Sequence, residues 1–365
     1  MSRPILIMAG GTGGHVYPAL AVAECLHQQG VPLFWLGTRR GLEARVVPQR
    51  GIELLTISIA GLRGKGLMTR LLAPVRILLA LWQSLRVLMK TRPAAVLGMG
   101  GFVSGPGGLA AWLLRIPLLI HEQNAIPGLT NRLLAPLAWR VMEAFPGSMP
   151  AVRQAQYTGN PVREEILALP QPVERMVSRE GGMRLLVLGG SQGARCLNEL
   201  LPKVLTGIVQ ACAGEQIRVR HQTGSSGEAA TREAYRKLGI EAEVTAFIED
   251  MAGAYAWADL VVCRAGAMTI AELAAVGVGS VLVPYPHAVD DHQRANAAWL
   301  CEVGAARMLM EDESLTSGLT QALRELVVDA PARLRMAEAA RARACPGAAR
   351  QVAAECLQAG GLAHG

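Results

Sequence analysis

The chain has 365 residues, enough for two domains of ordinary size, and 51% of them are hydrophobic, so two cores can be buried. Its seven cysteines are scattered without a CxxC pair, which argues against a disulfide framework or a zinc site and for reduced thiols in the cytosol. The start, MSRP, runs straight into an apolar segment, so we expect no secretory signal.

The net charge of +7 is distributed unevenly. Up to residue 159 there are 16 Lys and Arg against 5 Asp and Glu, whereas the rest of the chain has 20 against 24. No acidic residue occurs between Glu53 and Glu122. A surface of one sign attracts nucleic acid, anionic lipid or a phosphorylated substrate. A merely soluble basic face is the alternative.

The first predicted elements are an apolar strand over Ile5–Met8, the loop GGTGGH over 10–15, and a helix over 18–29. Glycines at a strand-to-helix corner leave backbone N–H groups open to a phosphate. The glycine pattern is incomplete for a dinucleotide fingerprint, and His15 can accept a proton near neutral pH or hold an anion. The loop therefore predicts a phosphate site beside a candidate base, with a structural histidine as the alternative.

The next segment, Leu71 to Met89, is apolar but interrupted by Arg76, Gln83 and Arg86. A spanning helix needs about 20 mostly apolar residues, so this stretch is too broken to cross a membrane. Its basic residues share one side, which predicts an amphipathic helix with Pro74 near its start. Such a helix either faces the core or lies in a membrane interface, and both interpretations stay open.

Strands, glycine loops and helices then alternate along the chain. We predict strands at 94–99, 117–120, 184–188 and 260–263, and helices at 109–114, from about 194, at 268–276 and from about 334. Short apolar strands alternating with helices are typical of parallel sheets covered on both faces. We predict two Rossmann-like domains, 1–159 and 160–339, with a C-terminal helix over about 340–365 that could pack back on the first.

Three later segments carry polar groups at strand ends, where ligands bind such sheets. The run HEQN, residues 121–124, follows a buried strand and needs either a ligand or a hydrogen-bond network. Glu272 lies on the second turn of a predicted helix, where a carboxylate can accept both hydroxyls of a ribose, unless it is an ordinary surface glutamate. The segment 284–296 is rich in amides and carboxylates. Its histidines and aspartates do not make a convincing metal site, and no Asp-x-Asp motif occurs.

Seven runs in order resemble the MurG family of UDP-N-acetylglucosamine transferases: GGTGGHVYPA, GMGGFVSGPGG, HEQNAIPG, TGNPVR, GGSQGA, CRAGAMTIAEL and VPYPHAVDDHQRANA. They extend from residue 10 to 297. The resemblance implies an α/β fold of the GT-B type, two Rossmann-like domains facing a cleft, and inverting chemistry without metal or cofactor.

The reaction implied is transfer of N-acetylglucosamine from UDP-N-acetylglucosamine to the 4-hydroxyl of undecaprenyl-pyrophosphoryl-N-acetylmuramyl-pentapeptide. This converts lipid I to lipid II in peptidoglycan synthesis. The resemblance also implies peripheral attachment to the cytoplasmic face of the bacterial inner membrane and no nucleic-acid partner. Cell-wall and division proteins are further candidate partners.

The same resemblance suggests roles for individual residues. Glu272 would bind the ribose, Ile248 with Arg163 nearby the uracil, and Ser191 the diphosphate. The start of the predicted helix would also contact the donor, through Ala267, Met268, Thr269, Ile270 and Ala271. Asn124, Gln293 and Asn296 would lie near the sugar. Thr12, Gly13 and Gly14 would face the acceptor pyrophosphate, with His15 as the base or as an organiser of that anion. Phe102 stands where tyrosine is common in the family.

Three other functions stay open at this point. A transferase of the same fold could act on another lipid acceptor, such as diacylglycerol. A nicotinamide-dependent oxidoreductase is disfavoured by the incomplete fingerprint. A non-catalytic scaffold on the membrane surface would leave the polar loops unexplained.

Overall fold

The computed structural model describes residues 3–59, 73–176, 182–190, 193–211 and 216–362. The chain divides into two compact units. Unit 1 comprises Met1–Arg163 and Cys345–Gly365, and unit 2 comprises Glu164–Ala344. The start of the helix predicted from Leu71 and the predicted donor-binding residue Ser191 lie outside the described residues.

Unit 1 is built on a seven-stranded parallel sheet with the order β3-β2-β1-β4-β5-β6-β7. The central strands are buried because helices cover both faces. The strands are β1 Ile5–Met8, β2 Leu33–Gly37, β3 Glu53–Thr56, β4 Ala95–Gly98, β5 Leu118–Glu122, β6 Arg140–Glu143 and β7 Gln156–Tyr157. The helices are α1 Gly13–Gln28, α2 Glu43–Val46, α3 Ala73–Thr91, α4 Ser104–Leu113 and α5 Leu129–Leu134.

Unit 2 is built on a six-stranded parallel sheet with the order β10-β9-β8-β11-β12-β13. Its strands are β8 Met183–Leu188, β9 Ile217–Gln222, β10 Ala242–Thr245, β11 Leu260–Cys263, β12 Gly279–Leu282 and β13 Ala306–Met308. Its helices are α6 Glu164–Leu167, α7 Pro172–Met176, α8 Arg195–Ala211, α9 Glu228–Lys237, α10 Met251–Trp257, α11 Ala267–Val276, α12 His292–Cys301, α13 Leu315–Val328 and α14 Ala330–Ala342.

The last helix, α15 Ala348–Ala359, belongs to unit 1. It packs against α1 and β4, and its residues Val352, Ala353 and Cys356 lie in the same core as β1. An ion pair between Arg140 Nε and Glu355 Oε2, at 3.1 Å, ties the helix to β6. Unit 1 is therefore completed by the C-terminal end of the chain.

Most strand predictions agree with the structure, but several boundaries move. The strands at 5–8 and 260–263 are confirmed. Helix α1 begins at Gly13 and not at Pro18, because the extended backbone of Thr12 ends the loop and the proline is accommodated inside the helix. Helix α4 likewise begins early, at Ser104. The stretch predicted as one helix from about 334 is two helices, α14 and α15.

The strand order of each sheet reverses beside its first strand. In unit 1 this point lies between β1 and β4, and in unit 2 between β8 and β11. Open α/β sheets bind ligands in the crevice at the carboxyl ends of the strands at such a point. The loops that leave these four strands are therefore where a site is expected.

Candidate active site

The loop after β1 is held in shape by side chains from neighbouring segments. Gly11 has φ +95°, which favours glycine, and its N–H donates to Glu43 Oε2 at 3.0 Å. Trp35 Nε1 donates to the carbonyl oxygen of Ala9 at 2.8 Å. Helix α1 starts two residues after Gly11, and the first N–H groups of a helix have no acceptor within it. The loop thus presents donors and a helix dipole suited to an anion.

His15 lies in the first turn of α1, against the loop that leaves β4. Its Nδ1 is 3.5 Å from Thr12 Oγ1. A Cβ on Gly100 would lie 2.6 Å from His15 Cδ2 and 3.0 Å from Nε2, and Gly100 has φ +92°. Space and backbone conformation both require glycine at this position. The imidazole is therefore positioned by the backbone of a second glycine loop.

The loops after β1 and β4 also touch through their backbones. Gly101 has φ +82°, and a Cβ there would collide with the carbonyl oxygen of Gly10. The next residue, Phe102, is exposed and offers no hydroxyl to a ligand. The loops after β1 and β4 therefore pack together, and they fix the start of α1, which contains Gly13, Gly14 and His15 and is preceded by Thr12.

The run predicted to follow β5 is partly inside it, because β5 ends at Glu122. His121 is fully buried, and burial lowers its pKa to about 4, so the ring is neutral. Its Nε2 donates to the carbonyl oxygen of Gly159 at 3.0 Å, since a carbonyl only accepts. Its Nδ1 then accepts from Gln123 Nε2 at 3.2 Å, which orients Gln123 Oε1 toward Gly100.

Glu122 is the centre of a second buried network at this edge. Its carboxylate accepts from the backbone N–H groups of Asn124, at 2.9 Å, and Gly128, at 3.1 Å, and from Asn131 Nδ2, at 2.8 Å. Burial raises the pKa of Glu122, and these hydrogen bonds oppose the rise. The network left open by the sequence is therefore present, and it fixes Asn124 at the end of β5.

In unit 2, helix α11 begins immediately after the glycine corner that follows β11. Gly266 is extended, with φ −65° and ψ 143°, so α11 starts at Ala267. The N-terminus of α11 is thus presented at the carboxyl edge of the sheet, as an anion site requires. Of the residues predicted to bind donor, Ala267, Met268 and Ile270 are buried, whereas Thr269 and Ala271 are half-buried.

Glu272 lies one turn further along α11 and is only 9% exposed, so the alternative of a surface glutamate is wrong. Its Oε2 accepts a hydrogen bond from the hydroxyl of Tyr255 at 3.0 Å. Burial and the charge of Glu272 raise the pKa of the Cys263 thiol to about 12. Cys263 is therefore not a nucleophile, and Glu272 is a buried acceptor held by a tyrosine.

The segment after β12 supplies two more amides. Gln293 Oε1 accepts from the backbone N–H of Tyr285 at 2.9 Å, and the buried Asn296 donates from Nδ2 to the carbonyl oxygen of Ala265 at 3.2 Å. Asn296 thus ties α12 to the loop that begins α11. Just before α12, Asp290 and Asp291 adopt left-handed φ values of 54° and 55°. Backbone strain of this kind is frequent at functional sites.

The remaining predicted residues lie apart in the chain. Ile248 is half-buried in the loop after β10, next to the exposed Phe247. Arg163 is the last residue of the N-terminal part of unit 1, and its guanidinium lies 5.3 Å from the centre of the Tyr17 ring. Within the described part of the chain, no three His, Cys, Asp or Glu side chains cluster as metal ligands.

Sequence reasoning missed Glu43 and Tyr255, which hold the first loop and Glu272. The available signal for Glu43 was an acid in the glycine-rich stretch GTRRGLE, residues 37–43, directly after a strand. Tyr255 lies 17 residues before its partner, and no local pattern links the two.

Comparison with known proteins gives matches over both units. The N-terminal domain of glycosyltransferase family 28 matches residues 5–143, and its C-terminal domain matches 184–352. A curated protein of Nitrosococcus oceani is named UDP-N-acetylglucosamine--N-acetylmuramyl-(pentapeptide) pyrophosphoryl-undecaprenol N-acetylglucosamine transferase. It is 57% identical over 98% of this chain and 99% of its own length. The chain belongs to this family, the MurG transferases.

Other members agree with the assignment. A protein of the same name from Alkalilimnicola ehrlichii is 53% identical over 98% of this chain and 99% of its own length. The crystal structure of Acinetobacter baumannii MurG superimposes with a TM-score of 0.83 at 40% identity, covering 98% of this chain and 99% of that one. The MurG resemblance and the two-domain GT-B fold predicted from the sequence are thereby confirmed.

Proposed function

We propose that this protein transfers N-acetylglucosamine from UDP-N-acetylglucosamine to the 4-hydroxyl of undecaprenyl-pyrophosphoryl-N-acetylmuramyl-pentapeptide. The observation that carries the proposal is the 57% identity with a transferase of that name over 98% of the chain. The glycine loops of the two units supply the chemistry that two phosphorylated substrates require. The product is the lipid-linked disaccharide of peptidoglycan synthesis, so the protein contributes to cell-wall biogenesis, cell shape and division.

The donor is assigned to unit 2. The buried carboxylate of Glu272 accepts hydrogen bonds from the ribose hydroxyls. The hydroxyl of Tyr255 donates to Glu272 Oε2 at 3.0 Å and so fixes the orientation of the carboxylate. The N-terminus of α11 receives the diphosphate, and Gln293 and Asn296 contribute amides near the sugar. Charge-assisted hydrogen bonds of this kind are stronger than neutral ones. The donor roles of Ser191, Ile248, Arg163 and Asn124 remain predictions from the resemblance.

The acceptor is assigned to unit 1, where Thr12, Gly13 and Gly14 bind its pyrophosphate. His15 accepts the proton of the 4-hydroxyl as that oxygen attacks the anomeric carbon of the donor sugar. One carbon–oxygen bond forms, the bond to UDP breaks, and the configuration inverts. The proton ends on His15, and the positive charge that the imidazole gains balances the negative charge that leaves with UDP. A positioned base of this kind contributes about 10² to 10⁴ in rate.

The leaving UDP carries the developing negative charge. We assign its stabilisation to the helix dipole and first N–H groups of α11, which are fixed before the reaction and need no reorganisation. Among the residues that the structure describes, no group of acidic or histidine side chains forms a metal site, and the proposed reaction proceeds without a metal ion or any other cofactor.

Attachment to the membrane is assigned to helix α3 and its surroundings. The helix buries Ala80, Ser84 and Leu88, whereas Leu78 is 65% and Trp82 50% exposed. The guanidinium of Arg86 lies 4.2 Å from the centre of the Trp82 ring, as suits an interface between apolar and charged groups. None of the helices described is apolar enough over a sufficient length to span a bilayer. The exposed apolar side chains with basic neighbours support peripheral binding to anionic lipid. The cytoplasmic face of the inner membrane is what the family resemblance implies.

A panel of donors and acceptors tests the proposal. The purified protein is incubated with UDP-N-acetylglucosamine or UDP-glucose, and with either the lipid-linked muramyl-pentapeptide or diacylglycerol, and the products are identified by mass spectrometry. We expect one N-acetylhexosamine on the muramyl acceptor alone. Transfer to diacylglycerol in its place would contradict the assigned acceptor and leave a lipid glycosyltransferase of the same fold.

A further inference from the structure

A fully buried carboxylate, Glu43, connects the loop after β2 with the glycine loop after β1. Its Oε2 accepts from the N–H of Gly11 at 3.0 Å. Its Oε1 accepts from the N–H and the hydroxyl of Thr38 at 2.9 and 2.7 Å. The hydroxyl of Thr38 in turn accepts from the N–H of Gly41 at 3.1 Å. Both carboxylate oxygens are therefore occupied, and one of them holds the loop that contains Thr12 and His15.

Three glycines make room for this side chain. A Cβ on Gly10 would lie 2.7 Å from Glu43 Oε1, one on Gly37 would lie 2.7 Å from Cγ, and one on Gly41 would collide with the carboxylate. None of these three has a positive φ, so the backbone conformation does not require glycine there. The glycines at 10, 37 and 41 are accounted for by the space that the Glu43 side chain occupies.

The loop after β1 is consequently fixed from two sides. Glu43 holds Gly11 from the direction of β2, while Gly101 packs on the carbonyl of Gly10 from the direction of β4. The residues that follow are Thr12, which precedes α1, and Gly13 to His15, which form its first turn. Their position depends on the position of Gly11. A displacement of Gly11 would move the donors for an anion and the imidazole together.

We propose that Glu43 is a positioning residue for the acceptor substrate, holding the first glycine loop in the shape that binds the acceptor pyrophosphate and aims His15. The inference rests on the proposed function. Glu43 touches no substrate in this role, and it acts through Gly11.

The charge of Glu43 and its role in holding the loop lead to opposite expectations for acceptor binding when the carboxylate is removed. A buried negative charge behind a loop that binds an anion repels that anion, so removing the charge alone would tighten acceptor binding. Loss of the correct loop shape would weaken it, because a small misplacement of reacting groups is costly in rate. The sign of the change in kcat/KM for the acceptor therefore separates the two effects.

The chain offers a matched control in Glu143. This carboxylate is also buried, and it also accepts from a glycine N–H, that of Gly147 at 2.8 Å, where φ is +76°. It further accepts from the hydroxyl of Ser148 and the N–H of Met149. It holds the loop after β6, two strands beyond β4 in the sheet. Glu143→Gln therefore reproduces the loss of a buried, loop-holding carboxylate without altering the first glycine loop.

The experiment compares Glu43→Gln, Glu143→Gln and the wild type in steady-state transfer to the lipid-linked muramyl-pentapeptide, with UDP binding measured by calorimetry. For Glu43→Gln we expect kcat/KM for the acceptor to fall about tenfold or more. A tenfold fall corresponds to a loss of about 1.4 kcal/mol of transition-state stabilisation. The affinity for UDP should be unchanged. Amide hydrogen exchange at Gly11 should become faster. Glu143→Gln should leave the acceptor parameters and the exchange of Gly11 as in the wild type.

If Glu43→Gln does not fold, Thr38→Val removes one hydrogen bond to the carboxylate, and Thr38→Ser restores it. Thr38→Val should then weaken acceptor use and Thr38→Ser should recover it. An unchanged or higher kcat/KM for the acceptor in the Glu43 variant would overturn the proposal, as would an equal effect of Glu143→Gln. Failure of the wild type to transfer sugar would instead contradict the proposed function, and the exchange of Gly11 would still report the loop.

Discussion

The two units share one sheet plan but carry different chemistry at the point where the strand order reverses. In unit 1, left-handed glycines bring two loops into backbone contact, and an imidazole lies between them. In unit 2, a single extended glycine leads directly into α11, and a buried carboxylate follows one turn later. The comparison shows how one scaffold can serve two substrates. In the proposed assignment, the group that accepts a proton, His15, is held by backbone, and the group that accepts the ribose hydroxyls, Glu272, is held by a tyrosine.

The largest expected effect concerns the proposed proton acceptor of unit 1. His15→Ala should lower kcat by about 10² to 10⁴, because a positioned base is lost, and should leave UDP binding to unit 2 unchanged. Steady-state assays of sugar transfer measure kcat, and calorimetric titration with UDP measures its affinity. His27→Ala, at an exposed position of the same helix, is the control. If His15→Ala lowered the affinity for UDP as strongly as it lowers kcat, the assignment of acceptor chemistry to unit 1 and donor binding to unit 2 would be wrong.

The next effect concerns the acid of unit 2. Glu272→Ala should weaken UDP binding by about 2–4 kcal/mol, because charge-assisted hydrogen bonds to the ribose are lost. Tyr255→Phe keeps the carboxylate and removes one hydrogen bond to it, so about 0.5–1.5 kcal/mol is expected. Calorimetric titration with UDP measures both. Unchanged affinity in a folded Glu272 variant would remove this residue from the ribose site.

Acid should destabilise unit 1 through His121. Burial lowers its pKa from 6.5 to about 4, so below pH 6.5 the unfolded chain takes up a proton that the folded unit does not. The stabilisation is complete above pH 6.5 and is lost as the pH falls toward 4, by about 3 kcal/mol in total. Urea unfolding at pH 7, 6 and 5 measures the slope, and His121→Asn should flatten it. A slope that is identical in the variant would mean that other groups cause the acid sensitivity.

A smaller effect tests whether backbone positions the imidazole. Gly100→Ala should destabilise the protein by about 1–2 kcal/mol through its left-handed φ and also reduce kcat, because the new methyl group would displace the ring of His15. Gly30→Ala is a matched control, since its φ is +71° and its Cβ would meet no atom within 4 Å. The control should lose similar stability and keep kcat. Equal kcat in both variants would show that Gly100 serves the fold alone.

The smallest effect on turnover concerns membrane contact. Replacing Arg76, Arg86 and Lys90 of α3 by glutamine should weaken binding to anionic vesicles by about 1 kcal/mol per residue. Turnover of a detergent-soluble acceptor should be unchanged. Vesicle flotation and transfer assays measure the two. Undiminished flotation would mean that the basic side chains of α3 do not face the lipid.

The sequence predicted the sheets well because their strands are short, continuous apolar runs bounded by glycine. The predicted start of α1 is late because proline favours the first turn of a helix, whereas Pro18 lies inside α1 in the structure. Periodicity located the amphipathic helix α3 but left open whether its apolar side faces the core or a membrane, and the structure leaves Leu78 and Trp82 exposed. The pattern of one helix records polarity, and it does not record which residues a neighbouring element covers.

In the candidate site the sequence identified residues on glycine-rich motifs and missed those that hold them. Glu43 is 32 residues from Gly11, and only the pairing of β1 with β2 brings their loops together. Tyr255 meets Glu272 for the same kind of reason, through a contact between two helices. Such supporting contacts depend on tertiary packing, which no local pattern encodes.

Release of UDP reports the proposed transfer directly. The wild-type protein is incubated with UDP-N-acetylglucosamine in the presence of a metal chelator, with and without the lipid-linked muramyl-pentapeptide. For the proposed transfer we expect rapid release that depends on the acceptor and is unaffected by the chelator. Release that needs a divalent cation, or that proceeds equally without acceptor, would contradict it.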